Sequence, residues 1–183
     1  MSGHYEVRVS GSGGQGLMIL GDILAEAVGN HENRELILTK SYGPESRGGL
    51  CRSELIIDDV PINYPEVTQP DFVLALTQLS CDRYHRDMRP DGALLVDPMF
   101  VRVVPEGVKN VYSIPLTEIA KNITGKEIAA NIAAIGAMSE LGKFAEPDSL
   151  KKSIRERFPQ SMHESNEKVF DAGAEAARAL MKK

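Results

Sequence analysis

Seven consecutive residues, Ser10-Gly11-Ser12-Gly13-Gly14-Gln15-Gly16, are the first stretch whose types and spacing could do chemistry. Gly11, Gly13 and Gly16 fit G-x-G-x-x-G, which lets a backbone approach a diphosphate at a helix N-terminus. The stretch lacks the Lys-Ser/Thr of a P-loop, which argues against nucleotide hydrolysis. A dinucleotide loop also expects an acid about 20 positions on, at the end of the second strand, to hold the ribose. Thr39, Lys40 or Ser41 stands there instead, and Glu35 precedes that strand. Three readings stay open: an NAD(P) site without its acid, a tight strand-to-helix turn, or contact with a phosphate or diphosphate shared with partner chains.

The second candidate is Lys40-Ser41-Tyr42-Gly43-Pro44-Glu45-Ser46-Arg47-Gly48-Gly49. Charge mixed with glycine excludes a regular element. Ser46 and Gly48 flank Arg47 with little bulk, so its planar fork is free to meet a carboxylate or phosphate, or to pair with Glu45 or an interface acid. Cys51 and Cys81 are the only cysteines and form no C-x-x-C pair. They cannot hold an iron–sulfur cluster unaided and read as small buried residues, with a reactive thiol as the alternative. His4, His31, His85 and His163 have no metal-ligand spacing and read as surface residues. Asp97 before Pro98 reads as a turn cap. No catalytic residue and no metal ligand can be named.

The elements that must position these loops follow from the patterning. Tyr5–Ser10 alternates as a strand, and the segment from about Gly14 to Val28 is helix-periodic. Leu36–Thr39 reads as a short, fully buried strand of the parallel kind, and Leu50–Ile57 as a strand with one wetter side. Phe72–Leu76 and Gly92–Asp97 are buried strands and Asn110–Ile114 a short one. Thr124 and Glu127 have capping-box spacing for a helix to about Leu141 that is apolar nearly all round, hence central. Two amphipathic helices finish the chain. Alternating strands and helices predict an α/β fold: a Rossmann-like open, mostly parallel sheet with helices on both faces and C-terminal helices appended. Sites in such sheets lie at the carboxyl ends of the strands, where both loops and Thr77-Gln78 should meet.

Composition bounds the rest. The 183 residues suit a single domain over 1–183, with a core at 5–145 and C-terminal helices at 147–183. A net charge of −5 with no basic patch argues against nucleic acid. No apolar run approaches the roughly 20 residues that span a bilayer, and the N-terminus lacks a signal-peptide pattern, so a cytoplasmic location away from the membrane is expected.

The glycine stretch, the string Ser41-Tyr42-Gly43-Pro44-Glu45-Ser46-Arg47-Gly48-Gly49 running into Cys51-Arg52-Ser53-Glu54, Pro70-Asp71 and Asn131–Ala137 together resemble the gamma subunit of 2-oxoacid:ferredoxin oxidoreductases. The second string looks most like the 2-oxoglutarate branch. The resemblance implies a complex that decarboxylates a 2-oxoacid, passes its acyl group to coenzyme A and reduces ferredoxin. It implies alpha and beta partners, with or without a ferredoxin-like delta subunit, that carry thiamine diphosphate and 4Fe-4S clusters. This chain would then bind no cofactor alone. Gly11, Gly13, Gly14, Gln15 and Gly16 would wall the shared site, and Arg47, between Ser46 and Gly48, would meet substrate carboxylate or phosphate. A stand-alone NAD(P)-binding oxidoreductase and a purely structural subunit are the alternatives.

Overall fold

A computed structural model describes residues 3–43 and 49–182. The strands are β1 (Tyr5–Ser12), β2 (Glu35–Ser41), β3 (Leu50–Asp58), β4 (Phe72–Ala75), β5 (Ala93–Val96) and β6 (Asn110–Ser113). The helices are α1 (Leu17–Glu26), α2 (Gln78–Tyr84), α3 (Leu116–Thr124), α4 (Ala130–Leu141), α5 (Pro147–Arg157) and α6 (His163–Met181). The strands form one sheet in the order β2-β3-β1-β4-β5-β6. β1, β4, β5 and β6 pair in parallel, while β3 is antiparallel to both β1 and β2. Five strands therefore share a direction and β3 alone is reversed. Among the described residues no helix is long and apolar enough to cross a membrane.

Alternation sorts the core onto two faces. Val7, Val9, Leu55, Ile57, Phe72 and Leu74 meet α1, α3, α4, α5 and α6 on one side. Val73, Ala75, Leu94 and Val96 meet α2 and Val101 on the other.

Two strands differ from the sequence reading. β2 is no buried parallel strand: it is the sheet's outer edge, longer than Leu36–Thr39, antiparallel to its neighbour and half-exposed. An aliphatic Leu-Ile-Leu run fits a half-covered edge as well as a buried centre, so composition alone cannot separate them. β3 keeps its wetter side only at Leu50 and Arg52, which are half-buried; Glu54 and Ile56 on the same side are buried. What drew Glu54 inside is Arg8 on β1. Arg8 Nε donates to Glu54 Oε1 at 2.6 Å, Nη1 to Asp87 Oδ2 at 2.6 Å and Nη2 to the Val67 carbonyl at 3.1 Å. The guanidinium also lies 4.7 Å from the centre of the Tyr84 ring. Every donor atom has a partner, which is what makes a buried ion pair tolerable.

The helices carry two further corrections. α1 begins at Leu17, not near Gly14, and ends in a π turn over Ala27–His31. Thr124 does not cap the next helix. It is the last residue of α3, which Gly125 stops at φ 73°. Its hydroxyl donates to the Ala120 carbonyl at 2.8 Å, and Glu127 pairs with Lys121 at 2.8 Å. A 3₁₀ turn, Glu127–Ala129, intervenes before α4, and Ile128 is left 49% exposed outside the helix.

α4 is central, as its all-round apolar sequence predicts, with every residue from Ala130 to Ser139 buried. It crosses α6 at backbone contact. A Cβ at Gly136 would fall on the Phe170 carbonyl, and one at Gly173 on the Ala133 carbonyl. Backbone cannot yield as a flexible side chain can. Gly173→Ala should therefore lower stability by about 1–3 kcal/mol, read as a lower urea midpoint at unchanged slope. Arg8→Met should cost about 3–5 kcal/mol by leaving Glu54 buried and uncompensated, and Arg8→Met/Glu54→Met should recover most of that loss.

Candidate functional site

β1 runs two residues past Ser10, so Gly11 and Ser12 still pair with Cys51 and Leu50 of β3. The chain then turns through Gly13 and Gly14 into α1. The glycines answer different needs. Gly16, just before α1, sits at φ 74°, and a Cβ there would lie 2.5 Å from Asn131 Nδ2. Gly14 stands at φ 95° with open space around it. At Gly11 the space a Cβ would need is filled by the carboxamide oxygen of Gln15.

That carboxamide braces the turn. Gln15 Oε1 accepts from the Ser12 N–H at 2.7 Å, and Nε2 donates to the Leu76 carbonyl at 2.9 Å. Both ends of the group are engaged within the chain, tying the turn to the end of β4. The first turn of α1 has neither a side-chain cap nor an acidic residue. Its leading N–H groups thus remain available to an acceptor, and the helix dipole favours a negative one.

The second loop meets the first. Gly13 N–H donates to the Gly49 carbonyl at 3.4 Å. Tyr42, 68% exposed, shares with Ser12, Gly13, Gly14, Met18 and Cys51 a cleft of about 320 Å³. Ser46, Arg47 and Gly48 lie outside the described residues. On the other side of Gly14 a second cleft, of about 160 Å³, is walled by Gln15, Leu76, Phe100, Thr117 and Ile128. Thr77 and Gln78 reach the same edge, but their polar atoms are used internally. Thr77 caps α2 through Ser80. Gln78 accepts from Arg102 N–H at 2.9 Å and Val103 N–H at 3.1 Å, and donates to the Val103 carbonyl at 2.7 Å.

Little else at this edge is reactive. Asp97 is fully buried and holds the end of β5 to the start of α3, accepting from Met99 N–H, Thr117 N–H and the Thr117 hydroxyl at 2.6–2.9 Å. It is a structural cap. Both cysteines are buried and free. Burial, with Asp82 nearby, pushes the Cys81 thiol up to about 11, so it is no nucleophile at neutral pH. His31, His85 and His163 are half-buried rather than surface residues; His31 pairs with Glu156 and His163 with the Phe158 carbonyl. Among the described residues no group of three His, Cys, Asp or Glu could hold a metal ion.

Two contributors escaped sequence reasoning. Asn131, buried at the start of α4, donates to the Gly16 carbonyl at 3.4 Å and fixes where α4 meets the glycine turn. The available signal was a lone carboxamide opening an apolar helix. The other is an apolar rim, Ile19, Tyr42, Phe100 and Ile128, all exposed around the turn.

The chain is thus an α/β domain whose glycine-turn edge offers backbone donors and apolar surface, with its side-chain carboxamide and acid tied up in support. The chain belongs to the pyruvate ferredoxin/flavodoxin oxidoreductase family, whose sequence model matches residues 6–176. It is 39% identical to the 2-oxoglutarate synthase subunit KorC of Methanocaldococcus jannaschii, over 96% of this chain and 95% of that one. Among solved structures it is similar to the gamma subunit of a keto/oxoacid ferredoxin oxidoreductase from Geobacter sulfurreducens, at 42% identity and a TM-score of 0.89, covering 97% and 98% of the two chains. A 2-oxoglutarate:ferredoxin oxidoreductase from Magnetococcus marinus, solved with 2-oxoglutarate, coenzyme A and succinyl-CoA bound, shares the fold at 24% identity and a TM-score of 0.88; all of this chain matches 32% of that longer one.

Gln15→Leu should leave the Ser12 N–H and the Leu76 carbonyl unpaired, at a cost of about 1–3 kcal/mol. Hydrogen exchange at the Ser12 amide should accelerate beyond the change at Val9. An unaltered Ser12 rate would mean the carboxamide does not hold the turn.

Proposed function

We propose that this chain is the gamma subunit of a thiamine diphosphate-dependent 2-oxoglutarate:ferredoxin oxidoreductase. The observation that carries the reading is the full-length likeness to a subunit named for 2-oxoglutarate synthase. In that reaction 2-oxoglutarate loses CO2, its succinyl group forms a thioester with coenzyme A, and the two electrons released reduce ferredoxin. Thiamine diphosphate, held by the alpha and beta subunits, supplies the decarboxylation chemistry when bound, and partner-held 4Fe-4S clusters conduct the electrons. The two cysteines of this chain support assigning the clusters elsewhere.

The contribution of this chain is a wall. Gly11 and Gly13, paired with β3 and with Gly49, shape the turn, and the backbone of Gly14 and Gly16, with the uncapped start of α1, presents donors to an anionic group. Arg47, between Ser46 and Gly48 on the adjoining loop, supplies a guanidinium for a carboxylate or phosphate. Gln15 holds that backbone in place. The chain works in the cytoplasm inside the complex and is inactive alone.

Sheet order weighs against the stand-alone NAD(P) reading. In a dinucleotide fold the ribose acid ends the strand beside β1. Here β3 lies between β1 and β2, which moves the end of β2 about 10 Å from the glycine turn. The groups at that end are an exposed Thr39 and a Lys40 paired with Asp22 at 2.5 Å.

Co-expression of the tagged chain with its alpha and beta partners should yield a complex that reduces a viologen dye only with both 2-oxoglutarate and coenzyme A. A tagged chain that enters no such complex sinks the proposal. In the assembled complex, Arg47→Ala should raise KM for the 2-oxoacid or coenzyme A, or lower kcat, by about tenfold or more. Unchanged kinetics would leave the chain a purely structural subunit.

A further inference from the structure

Beside the glycine turn, between α1, the Gly125–Ala129 connection and the start of α6, runs a groove of about 290 Å³. Its walls are apolar: Ile19, Ile123, Ile128, Phe158 and Met162. The three isoleucines are exposed. Asn166 of α6 also lines it, and it is only 1% exposed. Its Nδ2 is buried and has no hydrogen-bond partner among the described residues. A buried amide donor left unmatched lowers stability with no return inside the chain, and such groups are rare in native proteins.

The other polar groups of the groove are already engaged. The Thr124 hydroxyl donates to the Ala120 carbonyl, the Ser165 hydroxyl to the Met162 carbonyl, and Asn131 Nδ2 to the Gly16 carbonyl. Lys126, on the rim, has no ion-pair partner among the described residues. Two donors thus face the groove without a partner among the described residues: one amide at the floor and one ammonium at the mouth. The complement is an apolar body carrying a neutral acceptor deep and an acid outside.

We infer that this groove receives a segment of the alpha or beta subunit: one large apolar side chain, a backbone carbonyl set against Asn166 Nδ2, and an acidic residue facing Lys126. The inference rests on the proposed function only in naming the source of the segment. A protein segment fits better than a small apolar acid because the exposed surface does not stop at the groove. Ile19 and Ile128 also wall the cleft at Gly13 and Gly14, and Phe100 continues the surface beyond it. A small molecule would leave that strip in water, whereas a contiguous apolar strip with a rim charge is the form of a protein interface. The same fold also forms about a third of a longer chain, that of Magnetococcus marinus. Occupied in this way, the groove would register α4, and through Asn131 the glycine turn, against the partner.

Two variants of the full chain test this, each co-expressed with tagged alpha and beta subunits. Retention in the complex is measured on serial dilution. Ile128→Asp places a charge on an exposed wall where folding does not depend on it. Asn166→Leu removes the orphan donor, so the isolated chain should melt at the same or a higher temperature. Both should weaken retention by about tenfold or more. Wild-type retention by both variants overturns the groove assignment and leaves the functional proposal standing, whereas a wild-type chain that never enters the complex overturns both. Self-association of the isolated chain that Ile128→Asp abolishes would assign the groove to a second copy. Binding of decanoate that Asn166→Leu abolishes would assign it to a small apolar acid. Either result overturns the partner segment.

Discussion

The contact between α4 and α6 governs most of what lies around it. Two helices meet with carbonyl oxygens where Cβ atoms would otherwise stand, at Gly136 and Gly173. Such close approach lets α4 be buried on every side, so a helix without an amphipathic stripe still has a defined position. Its first turn then lies at the carboxyl edge of the sheet, where Asn131 reaches the Gly16 carbonyl. The depth of one helix crossing thereby sets the position of a surface turn on the far side of the core.

Buried polar groups elsewhere serve the same end. Arg8 and Glu54 tie β1 to β3 across the reversed pairing, and Arg8 also reaches Asp87 after α2. Asp97 ties the end of β5 to α3. Gln15, half-buried, ties the glycine turn to the end of β4. Each has its hydrogen-bonding atoms matched within the chain, which makes it a fastening rather than a reagent. At this edge the polar side chains of Gln15, Gln78 and Asp97 are turned inward.

Among the described residues, what faces outward at this edge is backbone N–H and apolar surface. This division suits a subunit of a multi-subunit oxidoreductase. A wall must be well placed and complementary, and it needs no nucleophile of its own. Asn166, a buried residue whose Nδ2 has no partner among the described residues, belongs to the same logic: its partner is to be sought outside the chain.

The glycine spacing, the tyrosine-glycine-proline-glutamate…arginine-glycine-glycine string and the all-apolar α4 were legible as residues, because each depends on local backbone geometry or on one helix's own surface. From them came the α/β fold, the carboxyl-edge location of both loops and the family. Strand order was not legible. Leu36–Thr39 fits an edge or a centre equally well, and only pairing with a reversed β3 moves it away from β1. The burial of Glu54 depends on Arg8, 46 positions earlier, and the loss of the Thr124 cap depends on Gly125 ending α3 first. Gln15 could be placed in the loop by sequence, but its role as a brace needs the Leu76 carbonyl, 61 positions away. Residue type and spacing determined which turns and helices could form. Which polar groups were consumed in holding them, and which were left for another chain, only long-range packing could decide.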